Sequence, residues 1–209
     1  MKIVLFGATG RTGRQFLAQA LQAGHEVTAI VRDPTSLPEH AHLSVVVADV
    51  MDPEAIGAHI AGQDAVVNTI GPRQPTKPTT VQTDSTASII GAMHNGGTRR
   101  LVVVSNSGIL HTGDGPITRY LAKPILRRVF QHTWGDMRRM EALVRASDLD
   151  WTILRPPMLT EGRRTGAYRT AEEHAVRGGV RLSRADLADG ILRALADPAF
   201  IGAAIALAN

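Results

Sequence analysis

Residues 7–13 read GATGRTG, three glycines each three positions from the next. The apolar run MKIVLF precedes them, and RQFLAQALQAG follows, with Phe16, Leu17, Ala20 and Leu21 at helical spacing and Gly24 at the stop. Where a strand turns into a helix, glycine permits the positive φ of a sharp bend, lets a diphosphate approach the backbone and lets the helix pack close to the strand. The first amides of the helix, around Arg11 and Thr12, then face an anion with the helix dipole behind them. Gly7, Thr9, Gly10, Arg11, Thr12 and Gly13 are therefore the expected cradle of a dinucleotide. Gly13 is followed by Arg14 and Gln15 rather than by Lys and a hydroxyl residue, which excludes a triphosphate loop. The spacing departs from G-x-G-x-x-G, so a purely structural turn is the competing reading; the parallel-sheet pattern downstream favours the dinucleotide.

The dinucleotide's identity is read at the end of the second strand, about 20 residues beyond the glycines, where an acid binds a ribose 2′-hydroxyl or a base binds a 2′-phosphate. The sequence offers both, Arg32 and Asp33. Asp33 precedes Pro34, the order of a helix N-cap and a first-turn proline, whereas Arg32 has no competing role except solvent. With Arg11 as the other side of a phosphate clamp, NADPH is favoured over NADH. Asp49 and Val50 follow the third strand, with Asp49 placed either for an adenine edge or for the turn before Pro53. Ile70 and Gly71 end the fourth strand, and a glycine there leaves room for a ribose.

These positions need a sheet to hold them. Short, β-branched runs at 3–6, 26–31, 43–48, 64–70, 100–105 and 151–154 read as parallel strands buried on both faces, and 201–208 as a seventh. Helical patterns fall at 53–60, 81–94 and 137–146, and SRAD at 183–186 reads as a capping box opening a helix to Ala196. The expectation is an α/β, Rossmann-type, doubly wound parallel sheet in a single domain over 1–209. Its substrate side is expected in the loops after strands four to six, at about 71–80, 106–118 and 155–180, along the carboxyl edge.

Composition bounds the rest. The chain has 209 residues, 44% hydrophobic and 20% charged, which excludes wholesale disorder. Its lack of cysteine excludes disulfides, thiolate metal sites and cysteine nucleophiles. The eight histidines show no metal-ligand spacing. The net charge of +4 is carried partly by scattered arginine pairs, not by one basic stripe, so no nucleic acid is expected. No stretch reaches the roughly 18 apolar residues of a membrane span, and the short apolar start does not suit a signal peptide; a cytoplasmic protein is expected.

GATGRTG, the VRDP after strand two, the ADV after strand three and LVRASDLDWTILRPPMLTEGRRTGAYR together resemble the atypical short-chain dehydrogenase/reductase superfamily. The nearest branch is similar to the NAD(P)H-binding group of biliverdin-IXβ reductase, also called flavin reductase, and of regulators of the nitrogen-metabolite-repression type. The resemblance implies a catalytic serine just after strand five, best matched by Ser107, with Ser105 nearer the nicotinamide and the Pro156-Pro157-Met158 turn beside it. It also implies a Tyr and Lys dyad, yet the equivalent positions hold Thr133 and Met137. Tyr120 and Lys123 are three apart and do not reproduce it. Met158 stands where the flavin reductase branch often has histidine, which weighs against a tetrapyrrole-specific role.

Without that dyad, hydride transfer suits an acceptor that delocalises its own negative charge, namely a flavin, quinone or tetrapyrrole. The expectation is an NADPH-dependent oxidoreductase acting on such a planar acceptor as a monomer or homodimer. His111 is the histidine to test as a proton donor, and Arg73, Arg163 and Arg164 are candidates to attract an anionic substrate. Trp134 and Trp151 are expected to pack, not to form a platform. A redox sensor without turnover and a biosynthetic isomerase or cyclase on the same scaffold are the alternative readings.

Overall fold

The computed structural model describes residues 1–33, 37–110 and 123–209. The N-cap expectation at Asp33 depends on residues 34–36, and His111 and Tyr120 lie within 111–122; these fall outside the described residues.

β1 (Lys2–Phe6) is followed by α1 (Arg11–Gln22), β2 (Glu26–Val31), β3 (Leu43–Val47), α2 (Pro53–Ile60), β4 (Ala65–Asn68), α3 (Val81–Gly96) and β5 (Arg100–Val104). Next in chain order come α4 (Lys123–Val129), α5 (Gln131–Ala146), β6 (Asp150–Arg155), β7 (Met158–Thr160), β8 (Arg169–Glu172), β9 (Arg181–Ser183), α6 (Arg184–Ala196) and β10 (Ala203–Ala208). The eight-stranded sheet has the order β3-β2-β1-β4-β5-β6-β10-β8, parallel except for β8 against β10. This is a Rossmann-like α/β domain. The order reverses at β1, and the crevice beyond the carboxyl ends of β1 and β4 is where such sheets bind ligands.

Successive side chains of a central strand feed opposite cores. Ile3 and Leu5 pack with Phe16, Leu17 and Ala20 of α1 and Leu187 and Ile191 of α6. Val4 and Phe6 pack with Ile56, Ile60, Ile89 and Met140 on the other face. Side chains apolar on both faces are what a sheet covered by two helix layers requires. Gly24 at φ 78° ends α1, and Asp52 caps α2 by accepting hydrogen bonds from the amides of Glu54 and Ala55 at 3.0 and 3.2 Å.

Three features depart from the sequence expectation. The third strand is not buried on both faces: β3 is an edge, and Val45 and Val47 are exposed. The span 155–180 is not all loop, since it holds β7, paired in parallel with β9, and β8, which covers the edge of β10. Finally, α5 begins at Gln131, six residues before the expected start at Met137. Its buried stripe includes Thr133, Asp136 and Glu141, polar residues that break the apolar periodicity and are buried because each has a partner described below. Among the described residues no helix is long and apolar enough to cross a membrane.

Candidate functional site

The glycine loop is a backbone device. Gly7 has φ 82°, and a Cβ there would come within 2.7 Å of Thr69 Oγ1 and 2.9 Å of the Thr69 carbonyl carbon. A Cβ on Gly13 would overlap the Gly7 carbonyl oxygen, so the helix lies against the turn as only glycine allows. Gly10 donates its amide to Gly7 O at 2.9 Å and forms the N-cap of α1 without a side-chain cap. No acidic residue stands in the first turn of α1. Its leading amides are therefore left for an anion, with the positive end of the dipole behind them.

Beside the loop lies a cleft of about 530 Å³. Of the expected residues, Gly7, Thr9, Arg32, Asp49, Val50, Ile70 and Gly71 line it. Arg73 and Lys77, from the segment after β4, line it too, and Lys77 was not singled out from sequence. Among the described residues Arg32, Arg73 and Lys77 make no ion pair, so three uncompensated cations surround the cleft against one carboxylate, Asp49. Asp49 Oδ1 accepts the Met51 amide at 3.0 Å, a turn role that leaves its second oxygen for another partner. Gly10, Arg11 and Thr12 stand at the head of α1, whereas Gly13 is buried in the loop–helix contact. Arg11 pairs at 3.3 Å with Glu161, which also accepts from Arg184 at 2.6 Å. Burial, and then the charge of Arg11, holds the Arg184 guanidinium below its usual range, with Glu161 opposing. One carboxylate thus serves two cations at the phosphate end.

Ser105, Ser107, Pro156 and Met158 do not line this cleft; they follow β5 and β6 along the same edge. Ser107 donates its amide to the Pro156 carbonyl at 2.9 Å, tying the two turns together. Ser105 is buried and its hydroxyl has no hydrogen-bond partner among the described residues. Pro156 is buried and Met158 exposed. An uncovered helix head, a glycine cradle and an orphaned buried hydroxyl on one sheet edge fit a bound dinucleotide.

Long-range polar contacts that the sequence did not disclose hold the segments around the edge. Thr133 of α5 donates its hydroxyl to the Pro75 carbonyl and so pins the segment after β4. Asp136 of α5 is fully buried and accepts the Gln82 and Thr83 amides at 2.9 and 3.1 Å, capping α3 from a neighbouring helix. Glu141 receives a two-point ion pair from Arg155, at 3.0 and 2.6 Å, just before Pro156. Burial opposes the charge on Arg155, and hydrogen bonds to Glu141 and Glu173 outweigh it, raising its pKa. Arg164 is spent on buried Asp189, to which Tyr168 also donates at 2.8 Å; burial first, and then that bond, pushes the phenol above its usual value. Asp186 accepts the Thr165 and Gly166 amides at 2.6 and 2.9 Å. Burial raises its pKa, but those bonds and the Ser183 hydroxyl prevail and hold it below the usual carboxylate value. Trp134 packs beneath the Ser107 turn, stacked on Phe130 at 6.2 Å, and Trp151 lies under the Arg145 guanidinium.

Fold and cleft together define a dinucleotide-binding protein of the Rossmann type. Residues 7–198 match the NAD(P)H-binding family, and the chain belongs to that family. It is 29% identical to the uncharacterised YwnB of Bacillus subtilis over 204 residues, 95% of this chain and 93% of that protein. The fold superimposes with a TM-score of 0.82 on a proposed NADH-flavin reductase from Streptococcus pneumoniae at 27% identity, covering 100% of this chain and 99% of the other. A short-chain dehydrogenase/reductase from Veillonella parvula, solved with NADP, shares the fold at a TM-score of 0.83 and 19% identity, covering 100% and 94% of the two chains.

Proposed function

We propose that the chain is an NADPH-dependent reductase that delivers hydride to a planar conjugated acceptor: a flavin, a quinone or a tetrapyrrole. The observation carrying this reading is the fate of the dyad positions. Thr133 spends its hydroxyl proton on the Pro75 carbonyl, and Met137 cannot donate one. Carbonyl reduction to an alcohol develops charge on oxygen and needs a positioned proton donor, whereas a conjugated ring spreads the charge and can take its proton from water.

Bound NADPH would supply the hydride. The chain's own part is to hold and orient. Gly7, Thr9, Gly10, Arg11, Thr12 and Gly13 form the diphosphate cradle, with Arg32 and Arg11 toward a 2′-phosphate. Asp49 and Val50 meet the adenine end, and Ile70 and Gly71 leave room for the ribose. Ser105, Pro156 and Met158 bound the nicotinamide end, and Ser107 orients the acceptor or a water. Proximity of two flat rings then contributes most of the rate. The acceptor side is drawn from the segments after β4, β5 and β6.

The test is loss of absorbance at 340 nm when purified protein is given NADPH with FMN, a quinone or biliverdin. Oxidation that depends on the acceptor is expected. NADPH binding without oxidation by any of them would replace the reductase with a redox sensor.

A further inference from the structure

The arginines that sequence reading offered for an anionic substrate divide in the structure. Arg164 is committed to Asp189, and Arg73 belongs to the dinucleotide cleft. A different set faces a second cavity. Arg127 and Arg128 of α4 and Arg138 of α5 line a cavity of about 400 Å³ with Gln131 and Trp134, and none of the three has a carboxylate within ion-pair distance among the described residues.

This cavity backs directly onto the Ser107 turn. Arg138 donates to the Ile109 carbonyl at 3.4 Å, and the Trp134 ring lies so close to Gly108 that a Cβ there would overlap it. The carboxylates of α5 offer no compensation, since Asp136 is turned to the α3 amides and Glu141 to Arg155. Ile125, Leu126 and Val129 of the short helix α4 remain exposed, an apolar shelf beside the cations. Three guanidinium forks, which match the oxygens of phosphate better than point charges do, thus meet an aromatic wall and apolar surface next to the serine assigned to the acceptor.

We propose that this cavity binds the phosphate monoester of a planar acceptor, and so makes the enzyme prefer a phosphorylated flavin to its unphosphorylated counterpart. The inference rests on the reductase reading for its physiological sense, but the site itself can be tested apart from turnover. A ring at Ser107 would carry its phosphate on a flexible chain around the edge of the Trp134 ring to Arg127, Arg128 and Arg138.

FMN and riboflavin differ only by the phosphate, so NADPH oxidation is measured with each, for the unaltered chain, for R127Q/R128Q and for the charge-keeping R127K/R128K. These arginines are exposed on α4, which spares the core. In the unaltered chain kcat/KM for FMN is expected to exceed that for riboflavin by about tenfold, as for a charge-assisted hydrogen bond. The ratio should fall to near one in R127Q/R128Q and stay above it in R127K/R128K. A ratio near one in the unaltered chain, or one that R127Q/R128Q leaves in place, overturns the proposal. Absence of turnover with both flavins removes flavin from the acceptors of the reductase reading instead. The site is then decided by calorimetric titration of each flavin into protein saturated with NADP⁺. Tighter FMN binding that R127Q/R128Q abolishes supports it; equal binding, or none, overturns it.

Discussion

The two ends of the sheet edge are built from different materials. At the dinucleotide end, β1, the glycine turn and α1 are contiguous in sequence, and the cradle is main chain: a positive φ at Gly7, a helix pressed onto the Gly7 carbonyl, and uncapped amides. Toward the β5–β6 end, contacts between residues far apart in sequence set the geometry, including Thr133 to Pro75, Asp136 to Gln82 and Thr83, and Glu141 to Arg155. The cradle is set by backbone sterics, and the clamps by side-chain partners that a single substitution can remove.

Each half can be broken separately, and the largest effect is expected at the cradle. In Gly13→Val a branched side chain would be driven into the Gly7 carbonyl, a backbone collision no rotamer relieves. We expect loss of NADPH binding together with a lowered melting temperature; a variant that folds and binds normally would mean that the loop–helix contact is not what the glycine serves. Next comes Glu141→Ala, which leaves Arg155 buried with only Glu173, at 3.2 Å, as a partner. Loss of one member of a buried pair typically costs about 3–5 kcal/mol, and the remaining Glu173 contact places this variant near the lower end. Denaturant unfolding measures it, and a change below about 1 kcal/mol would show the pair to be incidental.

The legibility of the chain follows the same division. GATGRTG could be read because glycine's meaning is local and steric, and the central strands because burial on both faces leaves an unbroken apolar run. The first two turns of α5 could not be read, because Thr133 and Asp136 look like surface residues until Pro75 and α3 are brought to them. Arg163 and Arg164 drew attention as loop cations, yet Asp189, 25 residues beyond Arg164, decides that residue's fate. The strands β7 and β9 are only three residues each and pair across an intervening β8, which no periodicity reveals.

Acid titration probes a further clamp, in the first turn of α6. The folded-state pKa of Asp186 lies below that of an ordinary carboxylate, so its bonds to Thr165, Gly166 and Ser183 stabilise fully above that ordinary value. That stability is lost as pH falls through the lower, folded-state value. Asp186→Asn should therefore unfold more easily at neutral pH, by about 1.5–3 kcal/mol for hydrogen bonds to a charged group, and lose less on acidification. Parallel acid unfolding curves for the two proteins would remove Asp186 from the linkage. The smallest effect is expected at Arg32→Ala, which should weaken NADPH by about tenfold, roughly 1.4 kcal/mol, while NADH changes little. Equal losses for both nucleotides would dismiss the 2′-phosphate contact.

Isothermal titration of the unaltered protein with NADPH and with NADH tests the central claim most directly. With the head of α1 lacking a side-chain cap and Arg32 making no ion pair among the described residues, NADPH should bind exothermically and more tightly than NADH. Heats indistinguishable from dilution for both nucleotides, up to millimolar concentration, would contradict the account.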